Sequence, residues 1–156
     1  MKKVLVLSAL LLSLTLSAQW QTGYFVDEFG DSTNESYKSL IAQGTFSNSA
    51  TTNSKATYKF VHNENEKTVI LKVFEYGRSL ARSIDSEFVS VKIKTPSGNV
   101  KVIKSVMFAK TGVLFFYKKT YEKLLSSISV TGNYIMVFEK DSGYSPNSYK
   151  LKFSID

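Results

Sequence analysis

Cysteine is absent from the chain, histidine occurs once and arginine only twice. Without cysteine there is no disulfide, no thiolate nucleophile and no sulfur ligand for zinc. The one histidine, His62, lies in His62-Asn63-Glu64-Asn65-Glu66-Lys67, which reads as an exposed hairpin loop, and a Ser–His–Asp triad is not expected. The eight glycines are nowhere spaced as in a phosphate loop or a dinucleotide fingerprint. Gly77-Arg78-Ser79-Leu80-Ala81 echoes a nucleophile elbow but lacks its second glycine. No cofactor is expected, and carboxylates are left as the only common acid–base groups.

One apolar run stands out, Val4 to Leu16, about 13 residues against the ~20 needed to cross a bilayer as a helix. It follows Met1-Lys2-Lys3 and ends in Ser17-Ala18, the three-part layout of a secretory signal cleaved after Ala18. Residues 1–18 are therefore expected to be a signal peptide and 19–156 a single domain with no transmembrane segment after cleavage. Lys2 and Lys3 leave with the signal, which lowers the net charge from +7 to +5. That charge is uneven. From Gln19 to Tyr37 there are four acids and no base, whereas from Lys38 onward 18 bases face nine acids. A basic body of this kind suits anionic partners, but no motif for reading nucleic acid is present.

Period-two alternation dominates the mature chain. Tyr149, Leu151, Phe153 and Ile155 alternate with Lys150, Lys152 and Ser154, as Val89, Val91 and Ile93 do with Ser90, Lys92 and Lys94. These are strands with one buried face. Thr95-Pro96-Ser97-Gly98-Asn99 reads as a turn, returning through Val100, Val102, Val106 and Phe108. Lys104 then falls on the apolar side, so a bulge or a snorkelling lysine is expected there. Val69–Tyr76 and Tyr134–Phe138 are apolar on both faces and read as central strands. Tyr117, Tyr121, Leu124, Leu125 and Ile128 recur at helical spacing, predicting a helix over 118–128 that closes one end. The expected fold is all-β: a two-layer, mainly antiparallel β-sandwich of about eight or nine strands with one short helix. An outer-membrane barrel is the rival, disfavoured because lysines interrupt any lipid-facing band.

Two local clusters carry chemistry. Asp27, Asp31 and Glu35, spaced by four around Gly30, offer hard oxygen ligands for calcium, although the spacing is not that of an EF-hand. The plainer reading is an acidic turn that pairs with nearby lysines. Arg78 and Arg82, the only arginines, sit together in the loop Gly77–Ser86. A guanidinium grips carboxylate, phosphate or sulfate bidentately where lysine cannot; the plainer reading is local pairing with Asp85 and Glu87.

Val26-Asp27-Glu28-Phe29-Gly30-Asp31 and the stretch Gly44-Thr45-Phe46-Ser47-Asn48-Ser49-Ala50-Thr51-Thr52-Asn53-Ser54 resemble a group of small exported proteins of Bacteroidota-type bacteria. Phe74-Glu75-Tyr76-Gly77 and the closing Ser148–Ile155 fit the same group. The resemblance implies export and a compact fold, and no functional residues. The expected role is a monomeric, non-enzymatic protein that binds something, such as an anionic glycan or protein, or serves structurally in the bacterial periplasm or outside the cell. The alternatives are a carboxylate-dependent hydrolase of envelope polymers, and an adhesin or protein inhibitor.

Overall fold

The computed structural model describes residues 20–79, 86–108, 112–140 and 146–156. The expected signal peptide and Arg82 lie outside them. The described chain forms β1 (Gln21–Val26), β2 (Ser32–Asn48), β3 (Thr51–Asn63), β4 (Thr68–Glu75), β5 (Arg78–Ser79), β6 (Glu87–Lys94), β7 (Val100–Phe108), β8 (Val113–Tyr117), α1 (Lys119–Ser127), β9 (Gly132–Lys140) and β10 (Asn147–Ile155). The fold is all-β with one short helix, and the strand pairings are antiparallel.

The expected two-layer sandwich does not form. β2 is bonded to β3 along one edge and to β10 along the other, so the order β2-β10-β9-β6-β7-β8-β4-β3 returns to its start. The sheet closes into an eight-stranded barrel. Alternation reports one buried face and one wet face, which a sandwich and a barrel share; closure depends on β2, which is bonded to β10 over Gln43–Ser47 on one edge and to β3 over Lys38–Asn48 on the other. Gly44 sits at that seam. A Cβ there would fall 2.1 Å from the Lys150 carbonyl oxygen, so only glycine lets β10 approach this closely.

The inner face is apolar and filled. Tyr58, Tyr134, Tyr149, Phe46, Phe60, Phe116 and Phe138 are its largest fully buried side chains. Lys59, Lys72, Lys92, Lys94, Lys150 and Lys152 stand on the outer phase of their strands. Apolar inside and lysine-bearing outside is the reverse of a transmembrane barrel.

In β7 the buried phase is Ile103, Ser105 and Met107, not the expected Val102, Val106 and Phe108. The β6–β7 register runs unbroken from Glu87↔Met107 to Lys94↔Val100. There is no bulge, and Lys104 simply faces out. The inward polar residue, Ser105, donates to the Phe115 carbonyl oxygen at 2.9 Å. The expected turn between β6 and β7 does form, with the Gly98 N–H donating to the Thr95 carbonyl and the Thr95 N–H to that of Asn99.

The helix lies within the expected stretch. Tyr121, Leu124 and Ile128 are buried and Leu125 partly so, while Tyr117 belongs to β8 and is exposed. α1 covers the end of the barrel at which β3 and β10 finish. At the other end β4 and β9 finish and β6 and β10 begin. That second end is the barrel mouth.

Candidate functional site at the barrel mouth

Strand phase carries polar groups into the mouth. Along β9, Tyr134, Met136, Phe138 and Lys140 share the inner face; along β10, Asn147, Tyr149, Leu151 and Phe153 do. Phe138 pairs with Tyr149, and one step nearer the opening Lys140 pairs with Asn147. The Phe138 and Tyr149 rings stack with centroids 4.8 Å apart and planes 18° from parallel. An aromatic floor thus lies beneath a pair of hydrogen-bond donors.

Those donors are buried: Lys140 is 3% exposed and Asn147 2%. Among the described residues the Asn147 Nδ2 has no hydrogen-bond partner and Lys140 makes no ion pair. Direct cross-strand neighbours have Cβ atoms about 5 Å apart, so the amide and the ammonium can reach one acceptor together. An unmet buried donor costs roughly 1–3 kcal/mol. Groups of this kind call for an explanation, and a bound acceptor is one.

Across the mouth, the Tyr149 hydroxyl donates to Glu75 Oε1 at 2.9 Å. Glu75 is itself buried at the end of β4. The Tyr58 hydroxyl donates to the Thr45 carbonyl oxygen at 2.8 Å. Burial pushes that phenol well above its ordinary range, with Tyr149 and Glu75 adding to the effect, so it stays protonated. The inner wall here is two tyrosines beside one carboxylate.

Arg78 lies at the rim. Tyr76 and Gly77 both have positive φ, 49° and 75°, the two-residue turn that matches the twist of a hairpin. This turn places Arg78 exposed and opposite Glu75 in the β4–β5 register. The structure therefore brings one of the two sequence-read arginines to the mouth.

A cleft leads in from the side. β6 and β9 pair only from Val91 to Lys94 against Ile135 to Phe138, then part towards the mouth. The space between them, about 480 Å³, is lined by Glu87, Phe88, Val89, Ser90, Lys92, Val137, Phe138, Glu139 and Pro146. That volume suits a small ligand, and Phe138 belongs both to the cleft and to the aromatic floor.

The acidic cluster has a different job. Asp27 Oδ1 accepts from the backbone N–H groups of Phe29 and Asp31, both at 2.9 Å, and the Asp27 N–H donates to the Asp31 carbonyl. The carboxylate pins the β1–β2 turn. Asp27, Asp31 and Glu35 do not assemble; among the described residues no group of three possible ligands is placed to hold a metal ion.

His62 is not at an exposed loop tip. It is the penultimate residue of β3, faces inward at the helix-covered end and is 9% exposed. Its Nε2 lies 3.0 Å from the Tyr121 hydroxyl, and the Trp20 ring meets it edge-on at 6.2 Å. Desolvation lowers its pKa from the ordinary value of 6.5, with Lys38 adding to the fall and Glu64 opposing it. Alternation through Tyr58, Phe60 and His62 was the signal for this placement, masked by the polar run that follows. Lys140 and Asn147 were likewise missed, because each closes an alternating series with a polar residue. No family model matches the chain, and no curated protein or solved structure does either.

Proposed function

We propose that the mature chain is an exported, non-enzymatic binding protein whose barrel mouth takes an anionic group carried on a ring or short chain, as in an acidic glycan. The Lys140–Asn147 pair carries this reading: two buried residues side by side, of which the Asn147 Nδ2 meets no acceptor and Lys140 no carboxylate among the described residues. The stacked Phe138 and Tyr149 rings give the pair a rigid aromatic backing, and exposed Arg78 adds positive charge at the rim. The only histidine lies at the opposite end from Glu75, so no His–carboxylate pair forms there to support acid–base catalysis.

Titration of labelled protein with glucuronate, inorganic phosphate and glucose, followed by amide shifts, tests the proposal. Shifts confined to the ends of β9 and β10, seen with an acid but not with glucose and lost in Lys140→Met, support it. Equal response to glucose, or no response to any acid, overturns it. One observation favours a second reading, the hydrolase. Glu75 and Glu87 occupy inward phases of different strands at the same end, and turnover of an envelope polymer abolished by Glu75→Gln would establish it.

A further inference from the structure

Two surfaces remain outside the barrel core and the Lys140–Asn147 pair, the second sharing Phe88 and Lys92 with the side cleft. The first is a ribbon. β2 pairs with β3 only from Lys38 onward, yet it begins at Ser32, and β1 pairs with this overhang from Gln21↔Ser39 to Val26↔Ser32. Six residues at about 3.3 Å each carry the ribbon roughly 20 Å past the helix-covered end. It is apolar and acidic together: Tyr24, Val26 and Phe29 are exposed, Phe29 by 83%, and Asp27, Glu28, Asp31 and Glu35 stand with them. A two-stranded ribbon is marginal on its own in water, so these apolar residues are under pressure to be covered.

The second surface is on the barrel wall. Register places Phe88, Val106, Phe115, Ile70 and Val61 in one continuous outer row across β6, β7, β8, β4 and β3. Phe88 is 83% exposed. Phe108 and Tyr117 extend the row to either side of Phe115, at ring distances of 6.1 and 5.5 Å. Lysines border it, among them Lys59 and Lys72 on one side and Lys92 and Lys104 on the other. The only acids in those five strands are Glu75 and Glu87, and both are on the inner phase.

We propose that the acidic, aromatic ribbon of one copy docks on the lysine-bordered aromatic wall of a second copy, so that the protein self-associates head to tail. The two surfaces match in both respects that decide an interface, apolar area and opposite charge. They cannot meet within one molecule. The Phe88, Val106 and Phe108 part of the wall, on β6 and β7, lies three to four strands round the barrel from β2, and the ribbon projects away from the barrel past its helix-covered end. A wall-to-wall dimer would set lysines against lysines. Because the contact joins different surfaces, the assembly grows by head-to-tail addition into a ring or an open chain, in place of the monomer expected from sequence.

Sedimentation of the mature protein with a ribbon variant, Glu28→Lys/Phe29→Ser, and a wall variant, Phe88→Ser/Lys104→Glu, tests this. All four positions are exposed, so the fold should survive. The unaltered protein should show mass that rises with concentration and falls with salt. Each variant alone should stay monomeric, and a 1:1 mixture of the two should form a heterodimer that grows no further. The proposal is overturned if the unaltered protein stays monomeric at hundreds of micromolar in low salt. It is also overturned if the ribbon variant associates as the parent does, or if the mixture yields no heterodimer.

Discussion

The two ends of the barrel are finished in opposite ways. At one end α1 and the Ile128 that follows it lay Tyr121, Leu124 and Ile128 over the apolar interior, and polar atoms there are mutually bonded, as His62 and Tyr121 are. At the other end Lys140, Asn147, Tyr149 and Glu75 lie on the inner face near the strand ends, and no helix lies over them among the described residues. The first arrangement maximises burial. The second gives up stability and keeps donors available. A chain with no disulfide has only its core to rely on, so a deficit tolerated at one end is informative about that end.

This contrast makes predictions of descending size. Leu124→Asp, at a fully buried site on the covering helix, should destabilise the domain by about 4 kcal/mol, since it buries an unpaired charge; Leu125→Asp, only partly buried, should cost less. Denaturant midpoints decide this, and equal midpoints would show that the helix is not packed as a lid. At the mouth the sign reverses. Asn147→Leu should leave stability unchanged or raise it by about 1 kcal/mol, because an unmet donor is replaced by apolar surface of similar size. A loss of 2 kcal/mol or more would make Asn147 structural and erase the difference between the ends.

The smallest effect is a dependence on pH. His62 has a folded pKa below its ordinary value, so between the two the unfolded chain holds more protons and stability rises with pH. The contribution is complete above about 6.5 and fades as pH falls through the folded value. Melting temperatures across pH 7.5 to 5 should fall for the parent and fall less for His62→Gln. A parallel fall in both would move the acid sensitivity away from the helix-covered end.

Much of this contrast was legible in the residues. The alternation in β6 and β10 and the spacing of Tyr121, Leu124 and Ile128 specify which faces are buried, because burial is a local property of phase. Closure was not legible. It rests on β2 pairing along both edges and on a glycine at the seam, and nothing in β2 distinguishes a strand with two partners from one at an edge. β7 misled for a related reason: its outer face is as apolar as its inner one, so hydrophobicity alone assigned the wrong phase. The sequence drew attention to Arg78 by its rarity, whereas Lys140 is one of many lysines and only its burial separates it from the rest.

The seam at Gly44 also has a consequence in time. Its partner on β10 lies about a hundred residues further along the chain, so β2 leaves one edge unpaired until the last strand is available. Contacts so distant in sequence are slow to form. A chain that emerges N-terminus first would thus pass through an intermediate in which β2 and β3 are paired and the barrel gapes. In that interval an exposed strand edge invites pairing with other chains. Refolding rate should therefore be sensitive to changes in Ser148–Lys152, the stretch of β10 that pairs with β2.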